Sequence, residues 1–210
     1  KLKEILIPGE IITEFLQIMQ IRKDVVMKVL SGSPIFNNFI KKQQHNKKLK
    51  LLSVRDSLSN SFNRRYVFNF LDRLVNANRS EKNTISIMVI DIDDFKHLND
   101  HYGHNIGDAV LEQFANILKK CARETDIIGR WGGDEFVVLC PGALKTEAEN
   151  FAQRLQKELE DTIFSQGVSV SCSIGLSEVL KSDTIDNWLE RADNAMYQAK
   201  SSGKCCIKAV

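Results

Sequence analysis

The sequence predicts an α/β (α+β) fold: a central, mostly antiparallel sheet flanked by helices and preceded by a helical segment. Three observations carry this. Short apolar runs such as Ile85-Ser86-Ile87-Met88-Val89-Ile90 alternate with longer stretches whose apolar residues recur at helical spacing. Two runs, Ile127-Ile128 and Phe136-Val137-Val138-Leu139, flank a glycine-bearing turn, which reads as an antiparallel hairpin. Residues 1–52 show helical spacing and no strand pattern.

Length and composition bound the function. With 210 residues the chain can form one good core plus an appendage. A composition of 43% hydrophobic and 27% charged residues is that of a soluble globular protein, and a net charge of +2 gives no electrostatic case for nucleic acid or a membrane surface. No apolar run approaches a membrane span and no signal peptide is visible. Because the chain begins at Lys1, the expectation is a fragment of a longer protein, with an upstream membrane or sensor segment left open. Cys121, Cys140, Cys172, Cys205 and Cys206 are odd in number and lack zinc-type spacing, so reduced thiols in a cytoplasmic setting are expected.

The elements follow in order. In residues 1–52, Ile11, Ile12, Phe15, Ile18 and Met19, then Val25, Val26, Val29 and Leu30, give one helical stripe. Ser31-Gly32-Ser33-Pro34 breaks it, and Ile35, Phe36, Phe39 and Ile40 begin a second helix. Two such helices bury little alone: they either pair with another copy or a further domain as a linker, or cap the rest of the chain. The polar turn from Asp56 leads into a helix with Phe62, Tyr66, Phe70, Leu71 and Leu74 inward, and residues 76–83 read as a loop. The run at 85–90 is apolar enough to be a central strand. Asp108 is expected to open a helix burying Val110, Leu111, Phe114, Ile117, Leu118 and Cys121. After the hairpin, Thr146-Glu147-Ala148-Glu149 reads as a capping box for a helix burying Phe151, Ala152, Leu155 and Leu159. Val168, Val170, Cys172 and Ile174 alternate with serines as a half-buried strand stopped by Gly175. A last helix over 184–202 buries Trp188, Ala192, Ala195, Met196 and Ala199, and Cys205-Cys206-Ile207 closes the chain as a short strand.

Several polar groups carry potential chemistry. Asp134 and Glu135 are adjacent carboxylates at the hairpin mouth, a solvated tip or a site. Asp91 and Asp93 follow the central strand and share a face, with Ile92 directed into the core. They form either a solvated strand end or an oxygen-rich site suited to Mg²⁺. Asp108 is either a helix-terminal dipole partner or an acceptor for the guanine donor edge. Lys200 and Lys204 either complement a helix C-terminus or hold phosphates.

These motifs occur together in a recognisable order. Gly132-Gly133-Asp134-Glu135-Phe136, the Asp-x-Asp-x-Phe-Lys-x-x-Asn-Asp pattern at Asp91–Asp100, Gly103-His104, Gly107-Asp108, Ser173-Ile174-Gly175 and the Ala192–Lys200 helix resemble the GGDEF domain of diguanylate cyclases, over residues 53–210. The resemblance implies a nucleotidyl-cyclase, polymerase-palm-like fold. It also implies condensation of two GTP molecules into cyclic di-GMP with release of two pyrophosphates, by a homodimer using Mg²⁺, with Mn²⁺ as an alternative and two ions per active site. By the same resemblance, Asp91, the Ile92 carbonyl and Asp134 match metal ligands and Glu135 a ligand of a second ion. Asp134 also matches a proton acceptor, and Lys96 matches a residue stabilising transition-state charge. Asn99, His104 and Asp108 match substrate positions, with Asn99 and Asp108 on guanine. Gly132 and Gly133 give the nucleotide close backbone approach, and Lys200 and Lys204 match residues on the β- and γ-phosphates. Arg123-x-x-Asp126 matches a product-inhibition site gripping cyclic di-GMP. Arg154 is either its second arginine or an exposed helix residue. Asn60 and Ser61 stand where the family has Gly and Leu, and Gly203-Lys204-Cys205 stands for Gly-Arg-Asn. The alternatives are a non-catalytic module sensing GTP or cyclic di-GMP, and a related cyclase acting on another base.

Overall fold

The structure, a computed structural model, describes residues 54–80 and 84–210 together with Asn38, Lys41 and Lys42. The chain divides into two units, Lys1–Leu51 and Leu52–Val210, and the second is described below. The helices expected in residues 1–52 lie outside the described residues.

In chain order the elements are β1 (Phe62–Asn63), α1 (Arg64–Ser80), β2 (Ile85–Ile92), α2 (Phe95–Tyr102), α3 (His104–Cys121), β3 (Ile127–Gly132), β4 (Glu135–Pro141), α4 (Lys145–Glu160), a 3₁₀ turn (Ser165–Gly167), β5 (Cys172–Glu178), α5 (Ile185–Ser201) and β6 (Ile207–Ala209). The sheet order is β1-β3-β4-β2-β5-β6. The inner pairings β3–β4, β4–β2 and β2–β5 are antiparallel, and the edge strands β1 and β6 are parallel to their neighbours. This is the mixed, mostly antiparallel sheet flanked by helices that the sequence predicts.

Every residue of β2 is buried, which suits a central strand covered on both faces. Its side chains alternate between two apolar layers. Met88, Ile90 and Ile92 pack with Phe114 and Leu118 of α3 and Phe151 and Leu155 of α4. Ile85, Ile87 and Val89 pack with Val67 and Leu71 of α1 and Trp188 and Met196 of α5. Full burial of each such side chain contributes about 1.5–3 kcal/mol. Asp91 continues the α5-facing series, which sends a carboxylate toward the C-terminal end of that helix.

Several boundaries differ from the sequence expectation. Phe62 lies in β1, not in the first helix, and α1 continues to Ser80 through part of the expected loop. Asn63 sets its start, accepting a hydrogen bond from the Tyr66 N–H at 3.0 Å. Helix α3 begins at His104, so Asp108 sits one turn inside it. Helix α4 begins at Lys145, because Glu147, not Glu149, reaches back to the N-cap, accepting from the Leu144 N–H at 3.0 Å. Strand β5 starts at Cys172 and passes through Gly175 to Glu178. Gly175 is a packing position, not a stop: a Cβ there would lie 2.0 Å from the Ala192 carbonyl oxygen on α5. The last strand begins at Ile207, after a turn that includes Cys205.

Candidate active site

The hairpin β3–β4 turns at Gly133-Asp134, with Gly133 at φ +50°, a left-handed conformation that costs glycine nothing. The pairing register shifts between Arg130 and Gly132, so the strand bulges at Trp131. Arg130 clamps this tip. Its Nε and Nη2 donate to the Gly133 carbonyl at 2.9 and 2.7 Å, and its Nη1 donates to Asp56 Oδ1 at 3.1 Å. Asp56 also accepts from the N–H and Oγ of Ser59, so one carboxylate closes the leading turn and reaches the hairpin. Sequence reasoning assigned Arg130 no role. Its position two residues before Gly132, on the strand entering the turn, was the signal.

The sheet register brings the carboxylates together. Asp91 is the register partner of Glu135 on β4, and the Ile92 N–H donates to the Asp134 carbonyl at 3.3 Å. Asp91 is buried, and Lys200 Nζ on α5 lies 2.7 Å from its Oδ2. Burial pushes the Asp91 carboxyl up to about 6, opposed by the Lys200 hydrogen bond and reinforced by the negative charges of Asp134 and Glu135. Glu135 is raised for the same leading reason, burial, with Asp193 and Asp134 adding repulsion. The site therefore concentrates negative charge at one end of the sheet.

Asp93 has a different role from Asp91. It accepts from Ser171 Oγ and Ser173 Oγ, each at 2.7 Å, and from the Cys205 N–H at 3.0 Å. Its oxygens fasten β5 and the α5–β6 turn to the end of β2. Asp94, at φ +54°, pairs with Lys204 Nζ at 2.6 Å. Lys204 and Cys205 follow Gly203 with φ +64° and +47°, so the turn carrying Lys204 holds two non-glycine residues in the left-handed region.

Asn99, His104 and Asp108, expected to bind substrate, flank the α2–α3 junction. Gly103, at φ +83°, joins the two helices and donates its N–H to the Asn99 carbonyl at 2.8 Å. Asn99 Oδ1 is buried without a hydrogen-bond partner among the described residues. Gly107 is what makes room for it, since a Cβ there would lie 1.8 Å from that oxygen. His104 and Asp108 are exposed on the first turns of α3, and Lys96 is exposed on α2. Gly132 and Gly133 are exposed at the hairpin.

A second cluster lies where α3 leads into β3. The Arg123 N–H donates to Asp126 Oδ2 at 2.8 Å, and Arg123 Nη2 pairs with Glu147 Oε1 at 3.0 Å. Arg154 Nη2 donates to the Cys121 carbonyl at 3.1 Å. Burial raises the Asp126 carboxyl, opposed by the Arg123 N–H and by the charges of Arg123 and Arg154. Asp126 Oδ1 is buried and has no hydrogen-bond partner among the described residues. Arg154 and Cys121 also line an adjoining cavity of about 230 Å³.

Among the described residues, no group of three or more His, Cys, Asp and Glu side chains is placed to hold a metal ion. No described helix is long and apolar enough to cross a membrane. The cysteines, with Cys140 and Cys172 buried and Cys205 exposed, are all free thiols.

A mixed sheet flanked by helices, with carboxylates of β2 and of a glycine hairpin at one end beside a helix-end lysine, is the palm-like fold of solved GGDEF domains. The family described as "Diguanylate cyclase, GGDEF domain" matches residues 53–206, and the chain belongs to it. Diguanylate cyclase A of Treponema denticola is 32% identical over 206 residues, 95% of this chain and 54% of that protein. The response regulator PleD of Caulobacter vibrioides is 39% identical over 162 residues, 74% of this chain and 36% of that protein. The chain thus spans about a third to a half of the length of these relatives. Among solved structures, the GGDEF domain of DgcB from Caulobacter crescentus, in complex with c-di-GMP, superposes with a TM-score of 0.72 at 27% identity, covering 74% of this chain and 95% of that one.

Proposed function

We propose that this domain is a metal-dependent diguanylate cyclase that acts as a homodimer in the cytoplasm and is inhibited by its own product. The observation that carries the reading is the meeting of Asp91, Asp134 and Glu135 with Lys200 at one end of the sheet. That donor set fits Mg²⁺ or Mn²⁺, since such ions take one or two carboxylates and complete their shell with substrate phosphates and water. The residues that would hold two ions are Asp91, the Ile92 carbonyl and Asp134 for one, and Glu135 for the other. Bound there, the ions would offset triphosphate charge and make a 3′-hydroxyl a better nucleophile.

In the reaction, the 3′-oxygen of one GTP bonds to the α-phosphorus of the other, the α–β anhydride bond breaks, and pyrophosphate leaves. A second, reciprocal step closes the ring. Asp134 takes the hydroxyl proton, and Lys96 offsets charge on the phosphoryl oxygens in the transition state. Lys200 and Lys204 hold the β- and γ-phosphates. Gly132 and Gly133 let the hairpin backbone approach the nucleotide. Asn99, with its unpartnered buried oxygen, and Asp108 read the guanine edge beside His104. One such site per chain holds one GTP, so two chains must meet face to face.

Product inhibition is supported by Arg123, Asp126 and Arg154 standing together, with an orphaned Asp126 oxygen suited to a guanine N–H. The DgcB domain's complex with c-di-GMP supports a product-binding role within the family.

The test is incubation of the purified chain with GTP and Mg²⁺, followed by chromatographic separation of the nucleotides, with Asp134→Ala as control. Cyclic di-GMP from the parent and none from the variant is the expected result. No product across a protein dilution series, combined with GTP binding by calorimetry, would replace the cyclase with a sensing module.

A further inference from the structure

Both lysines assigned to the triphosphate are held by carboxylates of the β2–α2 segment. Lys200 Nζ lies 2.7 Å from Asp91 Oδ2, and Lys204 Nζ lies 2.6 Å from Asp94 Oδ1. The two pairs differ in setting. The Asp94 and Lys204 side chains are 64% and 43% exposed, so their pairing is solvent-screened and weak. The Asp91 side chain is only 6% exposed, against 34% for Lys200. Removing the ammonium there leaves a nearly buried charge without its ion-pair partner. Asp91 also feels the negative charges of Asp134 and Glu135, and the cation paired with it is Lys200.

We infer that Lys200 competes with a divalent cation for Asp91 and so makes metal binding conditional on the nucleotide. A metal ion entering alone must displace the ammonium, which then loses its 2.7 Å ion pair and keeps only the weaker attraction of Glu135 and Asp94. A triphosphate entering alone must draw Lys200 away and strand Asp91 among like charges. Only the metal–triphosphate complex gives every charge a partner at once: the cation goes to Asp91, and the phosphates go to Lys200. Lys200 thereby acts twice, as a placeholder for the cation and as a phosphate ligand. The exchange couples the two binding events positively, and by linkage the coupling is reciprocal. It rests on the cyclase reading, in which Asp91 is a metal ligand and Lys200 a phosphate ligand.

The inference is tested by binding, independently of turnover. Mn²⁺ is titrated into the whole chain at pH 8, with free Mn²⁺ followed by electron paramagnetic resonance. The titration is run without nucleotide and with the α,β-methylene analogue of GTP, which cannot be cleaved at the reacting bond. Without nucleotide, Lys200→Met is expected to bind Mn²⁺ about tenfold more tightly than the parent, a size typical of coupling between sites. The enhancement produced by the analogue should shrink by the same factor. Lys200→Gln, which keeps a polar contact to Asp91 without the charge, should behave alike and guards against a packing defect. Lys204→Met removes the same charge nearby but leaves Asp91 paired, so its nucleotide-free Mn²⁺ affinity should match the parent's. Unchanged or weaker Mn²⁺ binding by both Lys200 variants would overturn the inference. Equal tightening in Lys204→Met would also overturn it, since the effect would then be general charge and not competition at Asp91. If the parent makes cyclic di-GMP while either result is found, only this inference fails and the cyclase reading stands. If the parent binds no Mn²⁺ even with the analogue, the metal assignment fails with it.

Discussion

Gly107 shows how a single missing atom shapes the candidate site. A Cβ there would lie 1.8 Å from Asn99 Oδ1 and 2.9 Å from its Cγ. The Asn99 amide would have to move, while the backbone of α3 around Gly107 is ordinary helix that alanine favours. Gly107→Ala should therefore keep the fold and misdirect Asn99, the proposed guanine reader. The expected loss is roughly ten- to hundredfold in kcat/KM for GTP. Steady-state kinetics beside a thermal melt check it, and unaltered kinetics would remove Asn99 from the nucleotide site. The two departures in the leading turn are also resolved at this scale. Asn60 adopts φ +50°, which asparagine tolerates where the family has glycine. Ser61 is fully buried and its hydroxyl has no partner among the described residues, a local cost that the family's leucine would not carry.

Individual elements are locked to one another by a few charged groups. Arg130 ties the hairpin to the leading turn, and Arg191 ties α5 to the end of β5. Arg191 donates to Asp183 at 2.6 and 2.8 Å, to Ser177 Oγ at 3.1 Å and to the Glu178 carbonyl at 2.8 Å. Asp183 also accepts from the Leu180 N–H at 2.7 Å. Burial alone would raise the Asp183 carboxyl, but the Arg191 fork and the Leu180 N–H outweigh it, so the folded group titrates below its ordinary value of 3.8. Because the folded pKa is depressed, this stabilisation is present above the unfolded value and is lost as pH falls through the folded one. Asp183→Asn should cost about 2–3 kcal/mol at pH 7 and flatten the loss of stability below pH ~4. Urea unfolding at pH 7 and at pH 3 measures both. An unchanged midpoint at pH 7 would show that the network adds nothing net.

The whole molecule raises the question of pairing. In the proposed reading, a site that holds one nucleotide is complete only when two chains face each other. The helical pattern of residues 1–52 is the proposed device that sets this pairing and passes on an upstream signal. Deleting those residues should lower specific activity at low protein concentration and matter less at high concentration, where encounter is frequent. Activity that is unchanged through a dilution series would end that assignment. Diguanylate cyclase A and PleD are each longer than this chain, which spans about a third to a half of their length.

The sequence by itself determined the sheet class, the central strand and the hairpin, because alternation and paired glycines are local signals that burial then reinforces. It also determined the family, because motifs such as Asp91–Asp100 and Gly132–Phe136 are contiguous residues in a fixed order. Element ends were less legible. Gly175 reads as a stop until α5 is seen packed against it, and Asp108 reads as a helix start until Gly103 is seen to make the junction. Only the tertiary structure decided how the carboxylates divide their work. Asp91 and Asp93 look alike in sequence, yet Asp93 lies in the turn after β2 and accepts from Ser171 and Ser173, while Asp91 stands at the end of the strand beside a lysine of α5. The partners of Arg130 and Lys200 were decided at the same level. A charge's partner depends on which strands and helices meet around it, and that is set by long-range packing, not by neighbours in the chain.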